Sequence, residues 1–338
     1  MDFTGAHILS VDQFDRSAVE QIFATADLMA PFAARARMTR VLEGAILSNM
    51  FFEPSTRTRV SFGSAFNLLG GQVRETAEVK ASSLTKGESL HDTARVLSGY
   101  SDIIVMRHPE AGAVQEFAEA SRVPVINGGD GPNEHPSQAL LDLYTIRKEM
   151  ASRAKTVDGL RIALVGDLKY GRAVHSLCKL LALYDNVHYR LVSPPELAAP
   201  EAITARLKDA GHKVEVFSEF EAGIHHADIL YVTRTQEERF PSQAEADRYR
   251  GLFQLNAAVY TANCEPNTVI MHPLPRDSRS QAQELSADLD ENPNLAIFRQ
   301  TDNGVLVRMA LFALTLNVAH LVEQYVRPVP WYVSRREH

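Results

Sequence analysis

Short apolar, β-branched runs recur along this chain, each followed by a stretch with helical spacing, and this alternation narrows the fold more than any other feature. Buried parallel strands read as near-continuous hydrophobic runs, and strands alternating with helices imply an α/β protein with parallel sheets. The runs predict strands over 46–52, 103–106 and 123–126, then over 161–165, 189–192, 214–217, 229–233 and 268–271. Helices are expected over 58–69, 111–120, 137–150, 172–184, 201–210 and 219–225. The polar segment 151–159 separates two such series. With 338 residues the chain has room for two domains of about 100–200 residues each. The expected division is 1–150 and 151–303, each a mainly parallel sheet flanked by helices. A last helix over about 304–325 follows all the strands and is expected to return to the first domain.

Composition removes several classes of function. The formal net charge is -7, and no sustained basic run offers a nucleic-acid surface. The N-terminal segment carries acidic residues and no uninterrupted apolar core, so it does not read as a signal peptide. The most apolar stretch, 305–322, contains Arg308, Asn317 and His320. It therefore reads as a core helix of a soluble protein and not as a membrane span. Cys178 and Cys264 are far apart and in no metal-ligand spacing. They fit reduced thiols in a cytoplasmic protein, and neither a metal nor a cofactor is expected.

Ligands of open α/β sheets collect at the carboxyl ends of strands, where helix N-termini offer free N–H groups and positive potential. Polar, basic motifs stand at several such places. In Phe51-Phe52-Glu53-Pro54-Ser55-Thr56-Arg57-Thr58-Arg59 a strand stops at Pro54, and Ser55 or Thr56 can cap the next helix. Hydroxyls, backbone donors and Arg57 would then form a phosphate cradle without glycine; an ordinary cap with surface arginines accounts for the same residues. Arg107-His108-Pro109 ends a second strand. His135-Pro136-Ser137-Gln138 opens a helix after the glycine-rich loop Gly128-Gly129-Asp130-Gly131. Gly166-Asp167-Leu168-Lys169-Tyr170-Gly171-Arg172-Ala173 resembles a Walker A loop, but Arg172 and Ala173 replace its lysine and its magnesium-binding hydroxyl. The dinucleotide fingerprint is absent as well. Two further motifs follow strands: Thr233-Arg234-Thr235-Gln236-Glu237-Glu238-Arg239 and His272-Pro273-Leu274-Pro275-Arg276. The polar segment from Lys80 to Ser89 reads as an exposed loop, with Lys86 beside Gly87 suited to a mobile anion contact.

Together these motifs resemble the aspartate/ornithine carbamoyltransferase family. Ser-Thr-Arg-Thr-Arg, His-Pro-Ser-Gln and His-Pro-Leu-Pro-Arg occur in the family's order over nearly the whole chain. Within the family the likeness is to the aspartate-using members, through residues 82–88, 167–172, Arg234 with Gln236, and His272-Pro273-Leu274-Pro275. An ornithine-using member would be expected to carry Cys-Leu-Pro after that histidine. The resemblance implies that carbamoyl phosphate and L-aspartate are joined into N-carbamoyl-L-aspartate, the committed step of pyrimidine biosynthesis. It also implies a homotrimer with shared active sites, in which Ser82 (or Ser83) and Lys86 reach the neighbouring site. It leaves room for regulatory or dihydroorotase-like chains.

The same resemblance assigns the residues. Ser55, Thr56, Arg57 and Thr58 would bind the phosphate, completed by Arg107 and the neighbour's Lys86 and Ser82. Arg172, Arg234 and Lys86 would hold the aspartate carboxylates, with Gln236 supporting Arg234. Thr58, Arg107 and His135 would stabilise the oxygen that gains negative charge, alongside Arg57. Gln138 and the carbonyl of Leu274 would orient the carbamoyl amide. The departing phosphate would take the amine proton, since no side chain stands out as a general base. Glu53, a carboxylate in an anion site, is expected to pair with Arg172 and Arg239 and favour a closed state. An ornithine-using sibling, a non-catalytic phosphate-binding protein and a structural subunit are the competing readings.

Overall fold

The computed structural model of the protein describes residues 1–77, 87–279 and 282–331. The chain divides into two compact units. Unit 1 is Met1–Ser137 with the chain from Asp302 on; unit 2 is Gln138–Thr301. Along the chain come α1 (Arg16–Ala33), β1 (Met38–Thr39), β2 (Ile46–Phe51), α2 (Thr56–Leu68), β3 (Gln72–Ala77), α3 (Leu90–Leu97), β4 (Ile103–His108), α4 (Ala113–Ala120), β5 (Val125–Asp130) and α5 (Pro136–Ala151). There follow β6 (Arg161–Gly166), α6 (Arg172–Leu181), β7 (His188–Val192), α7 (Glu201–Asp209), β8 (Lys213–Phe217), α8 (Phe220–Ile224), β9 (Ile229–Thr233), α9 (Gln243–Ala246), α10 (Ala257–Asn263) and β10 (Val269–Met271). Last are α11 (Ile297–Thr315) and β11 (Val326–Arg327). The mixed α/β class and the two parallel sheets agree with the sequence reading.

In unit 1 the sheet order is β3-β2-β4-β5, all parallel. The chain steps outward from β2 to β3 and then returns across β2 to β4, so β2 and β4 flank a topological switch point. Met50, Ile104, Met106, Phe117 and Val125 belong to one buried cluster of this unit. In unit 2 the order is β10-β9-β6-β7-β8, again all parallel. Its reversal falls between β6 and β9. Val165, Val192, Leu230, Val232, Ile270 and Ile297 share its core.

Two expectations, the single last helix and the glycine-rich loop, need correction. The compact units part at 137/138, inside α5, near the end of the first strand–helix series. The physical reason is Asp142, which accepts hydrogen bonds from Tyr231 on β9 at 2.6 Å and from Gln300 at 2.6 Å, binding the body of α5 into unit 2. The second crossing falls at 301/302, close to the expected 303. The last helix is not one element over 304–325: α11 starts at Ile297 and ends at Thr315, and a 3-10 segment, Ala319–Tyr325, departs from it at 106°. Asn317 takes φ 54°, Asn317 N–H bonds Leu314 O at 3.0 Å, and Val318 N–H bonds Ala313 O at 2.8 Å. This is a Schellman cap, which terminates a helix with a left-handed residue. From Asp302 on the helix does return to unit 1: Arg308 donates to Ser61 at 2.8 Å, and Phe312 packs against Phe62 and Phe66. Finally, Gly128–Asp130 continue β5 and are not a loop. A Cβ at Gly128 would meet Phe51 and Val105 at 3.3 Å, so glycine lets neighbouring groups close over the strand.

No single helix among the described residues is long and apolar enough to cross a membrane.

Candidate active site

At the unit 1 switch point, Phe51 lies opposite Arg107 in the parallel register, and Phe52 N–H bonds Arg107 O at 2.8 Å. The segment after β2 is thereby pinned beside the end of β4. Ser55 then takes the N-cap position of α2 with φ -163° and ψ 92°, but its hydroxyl makes no capping bond. The first intrahelical bond runs from Arg59 N–H to Ser55 O at 3.2 Å. The expected hydroxyl cap is therefore absent, which leaves the Ser55 side chain and the first-turn N–H groups to face an anion. Thr56 and Arg57 are exposed and Thr58 is buried. Arg107 is nearly buried, and its guanidinium meets Glu53 at 2.7 Å and the Gly128 carbonyl at 3.4 Å. Glu53 thus engages Arg107 within its own unit. An acid beside an anion site is tolerated because it orients the arginine that serves the site. His135 is buried and immediately precedes α5, which opens on Pro136. The strand order β2-β4-β5 therefore gathers Ser55–Thr58, Arg107 and His135 at one edge of unit 1.

The unit 2 switch point is built around Asp167. Its carboxylate accepts from Tyr170 N–H at 3.0 Å and from Gln236 N–H at 2.9 Å, lacing the loop after β6 to the loop after β9. Burial pushes this carboxyl above its ordinary range, while the backbone donors of Gln236, Tyr170 and Lys169 oppose the shift. Gly166, at φ +112°, lies against the Thr233 carbonyl, which a Cβ would approach to 2.2 Å. Only glycine permits that approach. Arg172 is the first residue of α6.

Arg234 is held by Glu238 through both terminal nitrogens, at 2.6 and 3.0 Å. Burial tends to raise the Glu238 carboxyl, but its bonds to Arg234 outweigh this and leave it below the ordinary range. Gln236 does not touch the Arg234 guanidinium; its side chain donates to the Arg234 carbonyl at 3.1 Å. The support expected from Gln236 is thus to the backbone, and Glu238 supports the side chain. The sequence offered one signal for that, the i,i+4 spacing from Arg234.

After β10, His272 is buried and accepts from Leu274 N–H at 2.8 Å through Nδ1, so Nε2 carries the proton donated to Glu284 at 2.8 Å. Burial lowers the His272 pKa, which keeps the ring neutral in that tautomer. Leu274 has φ 59°, a left-handed conformation that a leucine adopts only when its surroundings enforce it. The peptide to Pro275 is cis. Arg172, Arg234, Gln236 and Leu274 all follow β6, β9 or β10, which are neighbours in the unit 2 sheet.

Two family descriptions match this chain. The aspartate/ornithine carbamoyltransferase carbamoyl-P binding domain matches residues 6–148, and the Asp/Orn binding domain matches residues 158–315. The chain belongs to the aspartate/ornithine carbamoyltransferase family. The aspartate carbamoyltransferase catalytic subunit of Cellvibrio japonicus is 69% identical over 336 residues, 99% of each chain. Among solved structures, aspartate transcarbamoylase from Trypanosoma cruzi in complex with carbamoyl phosphate and aspartate superposes with a TM-score of 0.85 at 37% identity, covering 93% of this chain and 98% of that one. The catalytic subunit of M. jannaschii aspartate transcarbamoylase gives 0.82 at 42%, covering 94% and 99%. In this carbamoyltransferase Ser82, Ser83 and Lys86 lie outside the described residues. Besides Glu238, sequence reasoning missed Asp167, Glu284 and Asp142 as supports of the family's motifs.

Proposed function

We infer that this chain transfers the carbamoyl group of carbamoyl phosphate to the α-amine of L-aspartate, giving N-carbamoyl-L-aspartate and phosphate. The full-length likeness to a relative of that activity carries the reading. The chemistry at the two sheet edges is in keeping with it. A phosphate brings about -1.5 to -2 charge near neutrality. The first turn of α2, with Ser55, Thr56, Arg57 and Thr58, offers N–H and hydroxyl donors to such a dianion. Arg172 and Arg234 are forks suited to the two carboxylates of aspartate, with Gln236 fixing the Arg234 backbone.

The amine attacks the carbamoyl carbon and forms the new C–N bond, and the carbonyl oxygen takes up negative charge. Thr58, Arg107 and His135 stabilise that oxygen. Collapse then breaks the C–O bond to phosphate, which leaves with the amine proton. Positioning and charge stabilisation supply the rate. Gln138 and the Leu274 carbonyl orient the carbamoyl amide. Lys86 and Ser82 from a neighbouring copy in a homotrimer, the pairing of Glu53 with Arg172 and Arg239, a cytoplasmic location and a place in pyrimidine synthesis belong to the same proposal.

Carbamoylation assays with L-aspartate and L-ornithine in parallel, in the presence of a chelator, test it. Rapid phosphate release with aspartate alone is the expected result. Activity with ornithine, or none with aspartate, overturns the acceptor assignment. Glu53→Ala should raise the aspartate KM; an unchanged value removes the closure role.

A further inference from the structure

We propose that Asp142, Gln300 and His272 form a buried clamp that holds the Gln138 amide and the Leu274 carbonyl as one unit, and that this unit recognises the two N–H donors of the carbamoyl group. The proposal rests on the roles given above to Gln138 and Leu274, and adds the residues that set them. Gln138 and Leu274 are far apart in the chain, yet a continuous path joins them within unit 2. Gln138 Nε2 donates to Asp142 Oδ1 at 2.9 Å, and Gln300 Nε2 donates to the same oxygen at 2.6 Å. Gln300 Oε1 accepts from His272 N–H at 3.1 Å, and His272 Nδ1 accepts from Leu274 N–H at 2.8 Å. Asp142, Gln300 and His272 are at most 1% exposed, so water does not compete along this path.

The path also sets polarity. A carboxylate only accepts, so Asp142 obliges Gln138 to turn its NH2 inward and present Oε1 outward. The same carboxylate obliges Gln300 to turn its oxygen toward His272. The neutral His272, whose Nε2–H is spent on Glu284, fixes the Leu274 backbone, at φ 59°. Two acceptors, Gln138 Oε1 and Leu274 O, are then offered to a group with two N–H donors. A carbamoyl NH2 satisfies both, whereas the methyl of acetyl phosphate, of similar shape and with the same phosphate, satisfies neither. Asp142 and Gln300 are thus positioning residues for donor-group specificity.

The readout is the ratio between the acetyl phosphate inhibition constant and the carbamoyl phosphate KM in the full chain. Gln300→Leu should lower this ratio about tenfold, since it removes one well-placed hydrogen bond and lets the two acceptors drift from register. Acetyl phosphate affinity itself should stay within about twofold, because the phosphate cradle is untouched. Gln300→Glu keeps the side-chain shape and serves where the leucine variant is poorly folded. Its carboxyl can donate to Asp142 only when protonated, so its ratio should recover as pH falls. Tyr231→Phe removes the hydrogen bond to the other Asp142 oxygen and should leave the ratio unchanged. Parallel weakening of both ligands in the Gln300 variants, or an equal effect from Tyr231→Phe, overturns the clamp and leaves a purely structural network. If Gln138→Ala shifts the ratio while the Gln300 variants do not, the clamp falls and the role of Gln138 stands. If Gln138→Ala leaves the ratio unchanged, the reading beneath the clamp falls and the clamp with it.

Discussion

At the sheet edge of unit 1, positive potential comes from the open first turn of α2 and from one nearly buried arginine, Arg107, aimed by Glu53. At the edge of unit 2 it comes from side chains already engaged with carboxylates. Arg234 pairs with Glu238, Arg250 and Arg279 with Glu237, and Arg276 with Asp290. Backbone donors are fixed when the helix forms and suit a ligand whose charge is concentrated on one phosphorus. Arginines held by neighbouring carboxylates are pre-oriented forks, which suits a ligand bearing two carboxylates. Two anion sites on similar parallel sheets thus reflect the different shapes of their anions.

Arg107→Leu breaks the unit 1 side most severely. A transition-state donor of this kind is worth about 2.7–4 kcal/mol, so kcat should fall by about 10²–10³-fold in steady-state assays. A loss confined to the carbamoyl phosphate KM would reduce Arg107 to a phosphate anchor. Gly166→Ala tests the backbone of unit 2. The φ of +112° and the approach of the Thr233 carbonyl leave no room for a methyl group, and a cost of at least about 1–3 kcal/mol should appear as a lower unfolding temperature. Unchanged melting would mean that the β6–β9 junction yields easily.

Glu238→Gln separates the two edges more finely. It should raise the aspartate KM about five- to tenfold, the worth of one hydrogen bond, and leave carbamoyl phosphate binding alone. A fall in that KM would mean that Glu238 competes with the substrate for Arg234.

The smallest effect concerns acid. Hydrogen bonds from Arg250 and then Arg279 hold the Glu237 carboxyl at about 2, below its ordinary value of 4.5. A carboxyl depressed in the folded state stabilises above its unfolded pKa, and that contribution is lost as pH falls toward about 2. Glu237→Gln should therefore flatten the decline of melting temperature between pH 5 and 3, by roughly the small amount expected of surface pairs.

Most of the sheet was legible because β4, β6, β9 and β10, most of β2 and the start of β5 are buried and mainly apolar. In the two parallel sheets the strand that was missed, β3, lies at an edge and reads Gln72-Val73-Arg74-Glu75-Thr76, too polar to stand out; the two-residue β1 and β11 are too short to leave a pattern. In α1, Pro31 interrupts a pattern that otherwise supports a long helix, and the sequence reading passed over it. The motif residues were legible because strand ends advertise themselves through proline, glycine and arginine. Their supports were less so, since Glu238 and Glu284 are acids where a search for anion sites looks for bases. Asp142 did leave a trace, as a lone carboxylate among Leu140, Leu141, Leu143 and Tyr144 in α5.

The division of the chain has a consequence for its birth on the ribosome. Unit 2 is one continuous segment, whereas unit 1 is split and receives its last portion from Asp302 onward. All of unit 2 has therefore been translated before Arg308 and Phe312 can dock on Ser61, Phe62 and Phe66, and before β11 can pair with β1. The first segment to be made is the last to find all its neighbours. A nascent chain that has emerged only as far as Thr301 would carry a complete second unit and an α2 whose aromatic face still lacks Phe312, a surface for chaperones to hold.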